Sequence, residues 1–78
     1  MARYFFDIDD GDQVTWDTDG VECSSREEIR RRATGVLPEV ARDELPDGDF
    51  RQFWVKVRNE QGQYVFEASL VLRAGWID

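Results

Sequence analysis

One segment of this 78-residue chain, residues 25–45, has the periodicity of an amphipathic helix, and no other segment does. Its apolar residues recur at helical spacing and form one stripe, made of Ile29, Ala33, Val36, Leu37, Val40 and Leu45. Ser25 followed by Glu28 is a capping box that marks the helix start, with Ser24 and Glu27 as the alternative register. A single helix with one apolar stripe must pack against another element, and the rest of the chain predicts a sheet.

Two residues within the helical segment are poor helix formers. Relative to Ala, Gly35 disfavours a helix interior by about 1 kcal/mol and Pro38 by about 3 kcal/mol. Pro38 also lacks the amide that would bond to the carbonyl of Thr34, so we expect a kink near residues 34–38. The apolar stripe continues in phase beyond the proline, which favours one bent helix over two. Pro46-Asp47-Gly48 should end it.

The segments on either side of the helix indicate two β-hairpins. The predicted strands cover residues 4–8, 13–17, 53–58 and 64–72, and the predicted turns cover residues 9–12 and 59–62. The order β-β-α-β-β predicts an α+β fold over a single domain, residues 1–78. We expect an antiparallel sheet of about four strands with the helix, kinked, on one face.

Alternation along the strands predicts which side chains meet the helix. The predicted core consists of Tyr4, Phe6, Ile8, Ile29, Val36, Val40, Phe53, Val55, Val57 and Phe66. The same alternation places Tyr64 on the core face beside Phe66. It leaves Trp54, Lys56 and Arg58 on the opposite, open face of the sheet.

Composition argues against several classes of protein. No stretch approaches the ~20 apolar residues of a membrane span, and no apolar leader follows Met1. Cys23 is the only cysteine, which excludes an internal disulfide and agrees with a reducing compartment. We therefore expect a cytoplasmic protein with no membrane partner. The chain has no histidine and no Gly-rich phosphate loop, so we expect neither an enzyme nor a bound cofactor.

The net charge of −7 is concentrated near the start of the chain. Residues 7–22 contain seven acidic residues and no basic one, and the remaining ten acids equal the ten Lys and Arg residues in number. A negative field of this kind disfavours nucleic acid and favours basic protein surfaces or cations. The acids of the first turn, Asp9, Asp10 and Asp12, are therefore candidate partner-binding residues.

The acidic turn has two other interpretations. Asp and Gly are common turn formers, so the cluster is also explained as a solvated turn at a sheet end. Hard cations bind closely spaced carboxylates, which makes a cation- or small-ligand-binding domain using residues 7–19 an alternative function. The spacing fails the EF-hand pattern, because counting from Asp7 puts Gly11 at position five and Thr18 at position twelve. No metal site is predicted.

The open sheet face supplies the other candidate partner-binding residues. Phe5 should share this face with Trp54, Lys56 and Arg58, and Val65 is a further candidate for it. Aromatic and basic residues together are typical of protein-binding hot spots and dimer contacts, although an ordinary wet sheet face is also compatible. Single-stranded nucleic acid stacked on this face is the third alternative. Trp76, in the apolar C-terminal tail, is added to the set because such tails dock on the same domain or on a second copy.

Two further features carry weaker hypotheses. Cys23 lies just before the helix N-terminus, which should lower its thiol pKa, but no histidine is present to activate it as a nucleophile. Four arginines, Arg26 and Arg30 to Arg32, form the only basic run. A helix spreads them around its circumference, so a solvated helix face explains them better than nucleic-acid binding does.

Several short motifs together resemble a known family. They are Arg3-Tyr4-Phe5-Phe6-Asp7, the Asp10-Gly11 turn, Asp19-Gly20-Val21-Glu22 and the strand pair around residues 59–66. In these the chain is similar, over its whole length, to a family of short bacterial proteins of unknown function found in rhizobia and related alphaproteobacteria. Members often have His where this chain has Asp7. The resemblance implies a shared fold and a bacterial origin, and no activity. The function we expect is a small acidic module that binds an unknown protein or self-associates.

Overall fold

The computed structural model describes residues 2–44 and 48–78. In these residues it has one helix and five strands, in the order β-β-β-α-β-β. Their bounds are β1 Ala2–Asp9, β2 Val14–Thr15, β3 Val21–Cys23, α1 Arg26–Glu44, β4 Phe50–Arg58 and β5 Tyr64–Arg73. The predicted α+β fold, with one helix packed on an antiparallel sheet, is confirmed. No helix in the described parts of the chain has the length and apolar character needed to cross a membrane.

The sheet is arranged around β1, which pairs with three antiparallel neighbours. The strand order is β2-β1-β4-β5, and β3 also pairs with β1. β2 and β3 share one side of β1, since Ile8 lies opposite Thr15 while Tyr4 lies opposite Val21. β3 was not predicted, because three residues are too short to show an alternating pattern.

The pairing of β4 with β5 contains an irregularity that reverses one predicted face. Val57 lies opposite Phe66, whereas Arg58 lies opposite Tyr64, so Val65 is an extra residue between them. Such a bulge shifts the alternation by one position. The Tyr64 hydroxyl consequently contacts Asp7 across the open face, and Val65 lines a cleft beside Ile29 on the helix side. Predicting Tyr64 on the core face and Val65 on the open face was wrong.

The core lies between α1 and the sheet. Its buried members are Cys23, Ile29, Ala33, Leu37, Ala41, Phe53, Val55 and Val57. Of the predicted core residues, Ile29, Phe53, Val55 and Val57 are thus confirmed as buried. Tyr4, Phe6, Val36, Val40 and Phe66 are partly buried and pack against this centre. Ile8 is only partly buried. The buried helix positions follow a strict four-residue spacing, which turns Val36 and Val40 towards the edge of the interface.

The helix start agrees with the capping prediction. The Ser25 hydroxyl accepts a hydrogen bond from the Glu28 amide at 3.1 Å. The Glu28 carboxylate in return accepts one from the Ser24 amide at 2.7 Å, which lowers the pKa of Glu28. α1 continues through Pro38 as one helix, as the in-phase stripe predicted. Leu45, the last residue of the predicted stripe, and Pro46 and Asp47 of the predicted helix stop lie outside the described residues.

Candidate functional site

The open face of the sheet brings together most of the predicted partner-binding residues. Trp54, Lys56 and Arg58 alternate along β4 with the buried residues of the same strand. Across the strand pair, Phe5 lies opposite Arg58 and Asp9 lies opposite Trp54. Residues directly opposite each other in an antiparallel pair point to the same face. The acidic turn thus meets the aromatic and basic residues at one end of this face.

A cleft of about 430 Å³ lies at that end. It is lined by Asp10, Gly11, Asp12, Phe50, Arg51, Gln52 and Trp54. One guanidinium nitrogen of Arg51 donates a 2.9 Å hydrogen bond to the backbone carbonyl of Asp10, which ties the turn to β4. The two carboxylates and two aromatic rings that line this cleft come from segments about forty positions apart in the sequence. We call it the turn cleft.

The conformation of the turn is set by its own carboxylates. Asp9 accepts a hydrogen bond from the amide of Gly11 at 2.9 Å, and Asp10 accepts one each from the amides of Asp12 and Gln13, both at 2.9 Å. The bonds from Gln13 and then Asp12 lower the pKa of the Asp10 carboxyl. Gly11 has φ +95°, a conformation that suits glycine. Asp12 is exposed and is one of the residues that line the turn cleft.

The acids of residues 7–19 do not converge on one point. Among the residues that the structure describes, no group of three acids, cysteines or histidines could hold a metal ion. The Asp17 carboxylate instead accepts hydrogen bonds from the amides of Phe6, Asp19 and Gly20, at 3.0, 3.1 and 3.0 Å. Burial raises the pKa of Asp17, but these hydrogen bonds outweigh it and the pKa lies below its ordinary value.

At the other end of the open face, Asp7 is a buried acid with four polar partners. It is 3% exposed and accepts a 2.8 Å hydrogen bond from Nε of Arg58 and a second, at 3.3 Å, from Nη2 of the same residue. The amide of Asp17 and the hydroxyl of Tyr64 also donate to it, at 2.9 and 3.3 Å. Arg58 donates again to the carbonyl of Asp17 at 2.8 Å.

In this network two predicted partner-binding residues, Arg58 and Phe5, contact each other. The Arg58 side chain is only 25% exposed, and its guanidinium lies 4.7 Å from the centre of the Phe5 ring. The hydrogen bonds that Arg58 donates to the Asp7 carboxylate raise the pKa of Arg58. The side chains of Asp7 and Arg58 therefore hold the backbone of Asp17, in the segment after β2, against the sheet. Strand alternation predicts Asp7 on the same face as Phe5, and this is confirmed, but its ion pair with Arg58 was not predicted.

Lys56 and Trp76 occupy different surroundings. Lys56 lies 3.8 Å from the Glu67 carboxylate on the neighbouring strand, and both side chains are solvent-exposed. Trp76 follows the end of β5 and is 95% exposed. It is not among the residues that line the turn cleft. Of the predicted partner-binding set, Asp10, Asp12 and Trp54 are thus the ones that share a cleft.

Cys23 is placed differently from the prediction. It belongs to β3, opposite Ala2, and is buried in the core. Burial, and next the charge of Glu28, raises the pKa of the thiol, so the expected lowering by the helix N-terminus was wrong. The arginines of α1 lie on its exposed side, where Arg30 pairs with Glu27 at 3.3 Å and Arg32 with Glu28 at 3.4 Å.

Comparison with known proteins gives a family. The model of a domain of unknown function, DUF6894, matches residues 3–71. The chain belongs to the DUF6894 family. This confirms the expected membership of an uncharacterised domain family. The DUF6894 match includes the turn cleft and most of β5, and it ends before Trp76. No curated protein and no solved structure matches the chain.

Proposed function

We propose that this DUF6894 protein is a small protein-binding module whose turn cleft takes a basic segment of a partner protein. The observation that carries the proposal is the shared cleft, which Asp10 and Asp12 line together with Phe50 and Trp54. The two kinds of group supply different parts of the recognition. Charge guides the approach and fixes the orientation, and the rings provide contact area.

The charge distribution favours a basic partner. Residues 7–22 contain seven acids and no base, and the turn lies within this stretch. From outside it, Arg58 pairs with Asp7 and Arg3 pairs with Glu22. Asp10 is ionised at neutral pH, and the backbone amides that donate to its carboxylate lower its pKa further. A negative field of this size increases the association rate with positively charged surfaces, and the effect weakens as salt is added.

The aromatic residues suit the long side chains of a basic segment. Phe50 is exposed, with the guanidinium of Arg73 5.6 Å from the centre of its ring, and Trp54 is partly exposed, so both residues keep surface that a ligand can reach. A lysine or arginine places its aliphatic stem on such a ring while its charged end reaches a nearby carboxylate. Trp54 with Asp12 offers this combination within one cleft. We therefore assign the central contact to these two residues.

Base stacking on the open face is less well supported than protein binding. A stacking surface needs several accessible rings along one groove. Phe5 is covered by the guanidinium of Arg58, and that guanidinium is committed to Asp7 and to the carbonyl of Asp17. The acidic turn at the other end repels a phosphate backbone.

Selection from a random-peptide phage library tests the proposal without knowledge of the partner. The full chain serves as bait beside Asp12→Lys and Trp54→Ala. Matched controls are Glu39→Lys, an equal charge change on the exposed side of α1, and Trp16→Ala, an exposed tryptophan outside the turn cleft. We expect the wild type and both controls to enrich Lys- and Arg-containing peptides, and both cleft variants to lose them. Enrichment of neutral or acidic peptides, or equal enrichment by all five baits, would contradict the proposal.

A further inference from the structure

β5 is an edge strand with an open outer side. It is last in the order β2-β1-β4-β5 and extends over ten residues. In the described part of the chain no strand pairs with its outer edge. Natural sheets protect such an edge with proline, inward-facing charges or very short strands. β5 contains no proline and no lysine, and the bulge at Val65 affects only its first residues.

The side chains of β5 are also unusually apolar for an edge. Leu70 is 40% exposed, and Val71 is exposed on the opposite face of the sheet. The only charged residues of the strand are Glu67 and Arg73. Both lie on the open face, because they are opposite Lys56 and Phe50 of β4. Because Glu67 and Arg73 are six positions apart, only one register of an antiparallel β5–β5 pair places each of them opposite the other.

We infer that β5 pairs antiparallel with β5 of a second copy of this chain, about a two-fold axis at Leu70. In this register Glu67 lies opposite Arg73 of the second copy, and Arg73 lies opposite its Glu67. Leu70 meets Leu70 on the helix side, and Ser69 meets Val71 on the open face. Shifting the axis to a neighbouring residue removes both ion pairs. The strand is thus complementary to itself in one register, as an isologous interface requires.

The net charge of the chain does not oppose this pairing. The excess acids lie in residues 7–22, on or beside β1, β2 and β3. β1 is separated from β5 by β4, so these acids are about 10 Å from the β5 edge and farther from those of the second copy. Charges at such distances are largely screened at physiological salt. The edge itself, with one acid and one base, is neutral.

The pair would be a continuous sheet that passes through both copies and presents two turn clefts. The turn cleft is formed by the β1–β2 turn with β4, and β5 approaches it at Arg73, whose guanidinium lies 5.6 Å from the centre of the Phe50 ring. Pairing at the outer edge of β5 therefore leaves the part of the cleft around Asp12 and Trp54 accessible. Two clefts on one particle increase the apparent affinity for a partner with repeated basic segments. The self-pairing does not depend on the partner-binding proposal, and either one stands without the other.

Sedimentation velocity of the full chain, from micromolar to millimolar concentration, tests the pairing. We expect a species of twice the 9.1 kDa chain mass. Glu67→Arg and Arg73→Glu each place like charges opposite one another and should weaken the dimer about tenfold or more. The double variant Glu67→Arg with Arg73→Glu exchanges the charges and should restore the dimer. A monomer at every concentration, or single variants as dimeric as the wild type, would overturn the inference.

A second pair of variants separates edge pairing from loss of folding. Leu70→Lys places two lysines at the two-fold axis and should give a folded monomer by circular dichroism. Val14→Lys is the control, because Val14 has nearly the same exposure, 39%, on the opposite edge strand β2, and should remain dimeric. A dimeric Leu70→Lys variant would contradict the proposed axis.

Disulfide trapping tests the register directly. Residues opposite each other in an antiparallel pair have Cα atoms about 4.5–5.5 Å apart, within the range that a disulfide spans. Leu70→Cys should therefore form a covalent dimer on mild oxidation. Gln61→Cys, in the exposed turn between β4 and β5, should not, and the buried Cys23 should not contribute. Equal crosslinking of both variants, or none of Leu70→Cys, would exclude this register.

Discussion

Arg58 and Asp7 form a two-point ion pair between the open faces of β4 and β1, with nitrogen–oxygen distances of 2.8 and 3.3 Å. The carboxylate is almost fully buried, so its charge depends on the guanidinium and on the other donors around it. The same arginine reaches the carbonyl of Asp17. The pair therefore joins the central strands to the segment that connects β2 with β3.

Removing one partner of this pair should destabilise the fold strongly. We expect Arg58→Ala to lower the free energy of unfolding by about 3 kcal/mol, because Asp7 is left charged and buried. A domain of this size has a margin of roughly 3–5 kcal/mol, so much of the protein should be unfolded. Urea denaturation measures the change. Lys56→Ala removes the solvent-exposed Lys56–Glu67 pair, which lies on the same face, two residues before Arg58 in β4. It should lower the free energy of unfolding by less than about 1 kcal/mol.

A double variant distinguishes the ion pair from general packing. Asp7→Leu combined with Arg58→Leu removes both charges, so no unpaired buried charge remains. We expect it to lose less stability than Arg58→Ala alone. A double variant less stable than Arg58→Ala would show that the hydrogen bonds to the backbone around Asp17, not the ion pair, dominate.

Stability should fall in acid because of Asp17. Its folded pKa lies below the ordinary value of 3.8, so the unfolded chain takes up a proton at higher pH than the folded protein does. The stabilisation that the ionised Asp17 carboxylate provides is therefore complete well above pH 3.8, and it is lost as the pH falls through the pKa of Asp17 in the folded protein. Asp10 and Glu28, whose pKa values are also lowered, act in the same direction.

The measurement is the urea midpoint between neutral pH and pH values below 3.8. Asp17→Asn should be less stable at neutral pH by about 1–3 kcal/mol and should lose less on acidification than the wild type. Asp12→Asn, at an exposed position, serves as the control and should follow the wild-type curve. An Asp17→Asn variant with the full wild-type acid dependence would contradict this assignment.

Two glycines should respond oppositely to alanine. Gly20 has φ +75°, and a Cβ there would lie 2.8 Å from Cγ of Arg3 and 2.9 Å from Cε2 of Phe5. Gly20→Ala should therefore destabilise the protein by about 1–3 kcal/mol. Gly35 lies within α1 with no atom near the position of its Cβ, so Gly35→Ala should stabilise by about 1 kcal/mol. Thermal unfolding of the two variants decides the comparison, and equal effects would contradict the local geometry.

Cys23 should be unreactive in the folded protein. Its thiol is buried and its pKa is raised, so little thiolate is available to an alkylating reagent. We expect slow labelling by iodoacetamide in buffer and rapid labelling in urea, followed by mass spectrometry. Labelling at the same rate in both solutions would show that β3 opens readily from β1.

The sequence predicted the elements whose patterns extend over several residues. The helix stripe gave α1 across Pro38, and alternation along residues 53–57 gave the buried face of β4. The features that were not predicted depend either on a single residue or on the pairing of segments far apart in the sequence. β3 has only three residues, and the extra residue Val65 reverses the face of Tyr64 without any local sign.

The candidate site was predicted in parts and not as a whole. The acids of the first turn and Trp54 were each identified, but their shared cleft depends on the pairing of Asp9 with Trp54, which no local pattern fixes. Arg58 and Phe5 were predicted on the correct face as partner-binding residues. The contacts of Arg58 with Asp7 and with the Phe5 ring show that this part of the face is occupied by interactions within the domain.

The most direct test of the central claim is affinity capture from an extract of the cells that produce the protein. Wild type, Asp12→Lys, Trp54→Ala and the controls Glu39→Lys and Trp16→Ala are used as baits, with quantitative mass spectrometry of the captured proteins. We predict a partner with a basic segment that the wild type and both controls recover and both cleft variants lose. Recovery of the same proteins in the same amounts by all five baits would contradict a role for the turn cleft in protein binding.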